Sequence, residues 1–171
     1  MDIKQDIARI AQQEQRLRFA SFDEGAAWDL GSRLRSMARA RGVAVTIEVR
    51  LARETVFLCS MPGTTPANAD WARRKRNTVE LLWRSSFGVG RALELENSSL
   101  ETKMGLPVRD YATHGGSVPI FLTNGACIGA VTVSGLPQRE DHELVIEALS
   151  AMCGVGSQAE LQPSGGAARS A

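Results

Sequence analysis

Apolar residues recur at Ile3, Ile7, Ile10 and Leu17 in an otherwise charged opening segment, which predicts a helix with one narrow apolar stripe. Such a stripe packs on its own domain or on a neighbouring copy. Ser21-Phe22-Asp23-Glu24 has the spacing of a capping box, in which the serine hydroxyl and the Glu24 carboxylate satisfy amides left free at a helix start. A second helix follows, with Ala27, Leu30, Leu34, Met37 and Ala38 on one face and Gly42 as its stop. Val43, Val45, Ile47 and Val49 then alternate with Ala44, Thr46, Glu48 and Arg50, the period of a strand with one buried and one partly wet face. After a turn near Leu51 to Arg53, Thr55 to Met61 forms the return strand, ended by Pro62-Gly63.

Thr65-Pro66-Ala67-Asn68 opens a third helix that runs to about Trp83. Ser85 to Leu106 reads as irregular and helical pieces, with Gly88 and Gly90 breaking the first and Ser98-Ser99-Leu100-Glu101 offering a second capping box. Between His114 and His142 two apolar runs flank Asn124-Gly125, whose positive-φ tolerance predicts a tight hairpin turn. Pro119 cannot donate to a strand ladder and so favours an edge or a bulge. Gln138 to Met152 forms the last helix, with Leu144, Val145, Ala148, Leu149 and Met152 inward and Gly154 as its stop. The order of elements predicts an α+β fold, one antiparallel sheet flanked by helices. Residues 1–156 make a single domain, and 157–171, poor in apolar side chains, are expected to be a disordered tail.

Composition narrows the function more than it defines it. The 171 residues carry a net charge of +1, which offers no electrostatic draw towards nucleic acid or an acidic membrane, and no apolar run approaches the roughly 20 residues of a span. The opening segment lacks a secretion signal, and the expected compartment is the cytoplasm. Cys59, Cys127 and Cys153 have no metal-binding spacing and are expected to be free, small buried thiols; no metal site is expected. Arg73-Arg74-Lys75-Arg76 points around its helix, so a solvated face explains it better than nucleic-acid binding.

The candidate chemistry sits at one end of the second hairpin. His114, Gly115, Gly116 and Ser117 lead into its first strand while Ser134, Gly135, Asp141 and His142 follow its second, so antiparallel pairing brings both polar clusters together. Asn68, Trp71, Lys75, Thr78, Val79 and Leu82 share one face of the third helix, which aims Lys75 inward. Either that lysine snorkels to the rim, the plainer reading, or it meets a carboxylate or an anionic ligand in a polar cavity. Asp141 is explained by the positive end of its helix alone. Serine, histidine and aspartate of a hydrolytic triad are present, but Ser117 precedes a strand and no nucleophile-elbow pattern occurs.

Asn68-x-x-Trp71-x-x-x-Lys75, His114-Gly-Gly-Ser-Val-Pro-Ile, Gly129-Ala-Val-x-Val-Ser-Gly135 and Gln138-Arg-Glu-Asp-His142 together resemble a heme-degrading-domain family of bacteria and fungi within the HbpS-like, GlcG-type superfamily. The resemblance spans roughly Phe19 to Met152. It implies a profilin-like three-layer α-β-α sandwich assembled into a homo-oligomer, with haem or corrinoid binding in the wider group. It also marks Asn68, Trp71, Lys75, His114, Gly115, Gly116, Ser134, Gly135, Asp141 and His142 as ligand-site positions. The expectation is therefore a cytoplasmic, homo-oligomeric binding protein for a small anionic ligand or a haem-like cofactor. Haem degradation near His114 or His142, and a scaffold organised by the first helix, are the alternatives.

Overall fold

The chain was analysed as a computed structural model that describes residues 2–154; the expected tail lies outside them. Six helices and five strands follow in the order α1 (Ile3–Arg16), β1 (Arg18–Phe19), α2 (Glu24–Ala40), β2 (Thr46–Leu51), β3 (Glu54–Ser60), α3 (Pro66–Leu82), α4 (Ser86–Leu95), α5 (Leu100–Met104), β4 (Ser117–Leu122), β5 (Cys127–Ser134) and α6 (Gln138–Cys153). They form one open sheet of order β1-β4-β5-β2-β3. Every pairing is antiparallel except β1 with β4.

Alternation along β2 and β5 sorts the two faces. Ile47, Val49, Val131 and Val133, with Val118 and Ile120 of β4, meet Leu30 and Leu34 of α2 and Leu144, Val145 and Leu149 of α6 in the main core. The opposite face, expected to be partly wet, is instead a buried polar layer beneath α3. Thr46, Glu48, Ser117, Thr132 and Ser134 are all buried there. Four of them have polar partners: Ser117 Oγ lies 2.7 Å from Thr132 Oγ1, Thr46 Oγ1 lies 3.2 Å from Ser60 Oγ, and Arg76 donates to both Glu48 oxygens at 2.9 and 2.8 Å.

Several local expectations are corrected. Asp23, not Ser21, caps α2, accepting from Ala26 N at 2.8 Å, because Phe22 is drawn into the core and leaves Asp23 at the helix mouth. Ser99, not Ser98, caps α5. The β4–β5 turn uses positive φ at Gly125 alone; Gly125 N bonds Leu122 O and Leu122 N bonds Ala126 O, which makes a three-residue loop with a glycine bulge. Short β1 covers β4 at Phe121 and Leu122, so β4 is not the sheet edge, while Pro119 lies beyond the reach of β1.

Gly88 and Gly90 do not break α4. They let it approach its neighbours: a Cβ on Gly90 would fall 2.3 Å from Thr113 O, and one on Gly88 would fall 3.0 Å from Ile10 Cγ2. Helix α1 lies against α4. Its inward face is Asp6, Ile10 and Gln13, with Ile3 and Ile7 only half-buried. Asp6, fully buried, accepts from Arg139 at 2.9 and 2.5 Å and sits 3.3 Å from Arg91 and 3.4 Å from Arg9, tying α1 to α4 and α6. Ile10 and Leu17 of the stripe are thus buried within the chain, while Ile3 and Ile7 keep part of their surface open.

Candidate functional site

Helix α3 reaches the polar end of the sheet with a well-defined start. Thr65 and Asn68 form a reciprocal capping box, and Asn68 Oδ1 accepts from Thr65 N at 2.8 Å. The acceptor of Asn68 is therefore occupied, and its two amide N–H groups are what it offers outward. Two turns on, Lys75 is 3 % exposed. It does not snorkel: Nζ donates to Asp141 Oδ2 at 2.8 Å and to Val133 O at 3.0 Å.

Asp141 is held from the other side by backbone. Leu136 N donates to its Oδ1 at 3.0 Å and Gly135 N to its Oδ2 at 3.3 Å. Its role is to pair with Lys75 as well as to sit in the positive end of α6. Burial pulls the Lys75 ammonium below its ordinary range and pushes the Asp141 carboxyl up, while their mutual attraction opposes both shifts.

The two glycines before β4 are the packing counterpart of this pair. A Cβ on Gly116, whose φ is +121°, would lie 2.3 Å from Val133 O and 2.9 Å from Lys75 Nζ. One on Gly115 would lie 2.0 Å from Gln138 O. Gly116 thus packs directly against the ion pair, Gly115 packs against the start of α6, and neither lines the cavity above that pair.

Above the pair lies a cavity of about 260 Å3 lined by Asn68, Trp71, Lys75, His114, Ser134, Gly135, Leu136, Gln138 and Asp141. The His114 ring meets Trp71 edge-on at 4.7 Å, and the Arg74 guanidinium lies over the Trp71 ring at 4.2 Å. Desolvation, then the nearby charges of Lys75 and Arg74, lowers the His114 pKa and favours its neutral ring.

Seven of the ten positions marked in the sequence come together here: Asn68, Trp71, Lys75, His114, Ser134, Gly135 and Asp141. His142 does not line the cavity. It is fully buried among α1, α4 and α6, with Nε2 3.1 Å from Gln13 Oε1, its ring 5.1 Å from that of Phe87, and Nδ1 without a partner among the described residues. Burial lowers its pKa to about 3. Among the described residues no group of three or more His, Cys, Asp or Glu side chains is arranged to hold a metal.

Arg74 was hidden within a run that reads as a solvated face. Arg73 pairs with Asp70 and Asp110, Lys75 with Asp141 and Arg76 with Glu48. Arg74 instead donates from Nε and Nη2 to Val108 O at 2.9 and 2.5 Å, and among the described residues no carboxylate pairs with it. Its charge is the uncompensated one beside the site. No spacing rule in the sequence separates it from its neighbours.

A family model described as "Haem degrading protein HbpS-like" matches residues 22–150. The chain belongs to the HbpS-like family. A UPF0303 protein of Azotobacter vinelandii is 55% identical over 152 residues, covering 89% of this chain and 92% of the relative. One of Acidobacterium capsulatum is 51% identical over 155 residues, covering 91% and 94%. Among solved structures, the Ybr137w protein superposes with a TM-score of 0.79 at 27% identity, covering 86% of this chain and 87% of that one. HbpS superposes at 0.61 with 19% identity, covering 77% and 89%, and a PduOC:heme complex at 0.63 with 18% identity, covering 78% and 94%. These last two support the mixed α/β fold.

Proposed function

We propose that the chain is a small-molecule-binding protein whose cavity above Lys75 and Asp141 takes a small, acceptor-rich anion, such as a short carboxylic acid. The observation that carries this reading is the imbalance of the lining. Asn68 presents amide donors, Lys75 has one N–H beyond the two already used, and the Asp141 carboxylate is already engaged by Lys75 and two backbone amides. Ser134 adds a hydroxyl, and Arg74, outside the lining but stacked on its Trp71, brings a charge that no carboxylate among the described residues offsets. A wall of donors is matched by a ligand of acceptors.

Lys75 orients the floor and Arg74 supplies the net charge in this reading. Thermal melts with acetate, pyruvate and inorganic phosphate, each against a chloride control, test it. A saturable rise in Tm with pyruvate or acetate supports it, and no rise with any of the three contradicts it.

By itself this cavity, about 260 Å3 with a largely polar lining, is smaller than the roughly 300–1,000 Å3 that encloses drug-sized ligands. His142 is sealed away from it. The haem-degrading alternative would use His114, which is exposed and favoured as the neutral ring a metal ligand requires. The family description and the PduOC:heme complex give it support. An optical haem titration of wild type and His114→Ala decides it: a saturable spectrum lost in the variant favours haem, and no saturable change removes it.

Self-assembly in a reducing compartment completes the reading. Strand β3 forms an open sheet edge with Leu58 64% exposed on one face, Trp28 of α2 is 59% exposed over Phe57 on the other, and the three cysteines are free. Light scattering tests the assembly, for which a single-chain mass would be the contradicting result.

A further inference from the structure

A second cavity, of about 400 Å3, adjoins the first at His114. Its walls differ in character. Leu93 and Leu100 of the α4–α5 region, with Leu106, Val108 and Tyr111 of the segment that follows, give it an apolar floor, while Arg74, Glu94, Ser98, Ser99 and Glu101 also line it. Leu93 and Leu100 belong to a small cluster separate from the main core, so this cleft does not belong to the packing that holds the sheet and helices together.

The wall is firmly built. Ala112 N donates to Arg74 O at 3.0 Å, Thr78 Oγ1 to Ala112 O at 2.9 Å, and Asn77 Nδ2 to Asp110 O at 2.9 Å, which fastens the segment to α3. From the far side α4 is pressed against Thr113 through Gly90. An apolar-floored cleft, adjoining a donor-lined cavity at His114 and bordered by a guanidinium with no carboxylate partner among the described residues, matches a molecule with two ends.

We propose that this cleft is the second half of the ligand site and receives the apolar arm of an amphipathic carboxylic acid. The acidic head lies in the donor-lined cavity on the Lys75 side, the chain passes His114 beside Arg74, and the arm rests on Leu93, Leu100 and Leu106. This assignment rests on the reading of the first cavity as an anion site. Its discriminating property is dependence on chain length, because a head-only site is indifferent to methylenes that never leave water.

Calorimetric titration of the full chain with acetate, butyrate, hexanoate and octanoate tests it, together with Leu106→Trp, which fills the cleft, and Val108→Asp, which places a negative charge at its mouth. Val108 is 61% exposed, so the second variant is compatible with the fold even where the first is not. The expected result is an affinity that climbs with length, up to roughly tenfold for each two methylenes fully buried, and that climbs far less in either folded variant. Acetate binding with no gain along the series would overturn the apolar arm and leave the anion site standing. A gain that persists in both variants would place the arm elsewhere and overturn it too. Absence of binding by all four acids would remove both readings.

Discussion

Lys75 Nζ and Asp141 Oδ2 stand 2.8 Å apart, both side chains almost wholly buried, and join α3 to the first turn of α6 across the end of the sheet. Neither charge is tolerable alone at that depth. Asp141→Ala is expected to cost about 3–5 kcal/mol because it strands the ammonium. The double replacement Lys75→Met with Asp141→Leu should lose clearly less than the sum of the two single changes. Urea unfolding of the four proteins in the cycle measures this, and additivity would deny the coupling.

Gly116→Ala should be more damaging than its single methyl suggests. The position combines a φ of +121° with a Cβ site 2.3 Å from Val133 O, and Val133 N bonds Gly116 O at 2.7 Å, so neither side can withdraw. A loss of about 2 kcal/mol or more is expected. Gly125→Ala is the control, since its Cβ site meets nothing within 4 Å and only its φ of +91° opposes the change. Comparing the two melts separates strain from collision.

Asp6 couples α1 to the domain, and its contribution has a defined acid limit. The Arg139 hydrogen bond, foremost among its causes, holds the carboxyl at about 2. Because the folded pKa lies below the unfolded one, the stabilisation is complete above about pH 4 and is lost as pH falls towards 2. Its size is about 2 kcal/mol. Asp6→Asn should raise amide hydrogen exchange across α1 at neutral pH while leaving β2 and β5 protected; unchanged exchange in α1 would show that Asp6 does not anchor it.

His142 should impose a separate pH dependence at higher pH. Burial sets its folded pKa at about 3. Unfolded chains therefore bind the extra proton between about 3 and 6.5, and stability rises with pH through that window by up to about 1.4 kcal/mol per unit. Replacing the ring by the non-ionising amide in His142→Gln should flatten the slope between pH 4 and 6 as measured by urea unfolding, independently of Asp6, whose window lies lower.

Elements with their own local period were legible in the sequence. The alternation of Val45, Ile47 and Val49, the stripe of α2 and the Thr65–Asn68 start of α3 each carry their signal within a few residues. The shared face of Asn68, Trp71 and Lys75 followed from the same helical spacing. Strand β1 did not, because two residues have no period; it is fixed by long-range contacts such as Phe19 O accepting from Thr123 N at 2.9 Å. Partners of charged groups were equally hidden. Lys75 meets a residue 66 positions away and Asp6 one 133 positions away, and only the closed fold brings them into contact. The glycines of α4 misled for a related reason: helix propensity counts against Gly88 and Gly90, whereas tertiary packing requires them.

Amide chemical-shift mapping with pyruvate tests the cavity above Lys75 and Asp141 most directly. Saturating shifts gathered on the backbone amides of Gly135, Leu136, Gln138 and Arg139, the Asn68 side-chain amide and the Trp71 indole, and absent from the far ends of β2 and β3, are the predicted result. Saturating shifts centred anywhere else on the domain, or none at millimolar pyruvate, would contradict the assignment of this cavity as the ligand site.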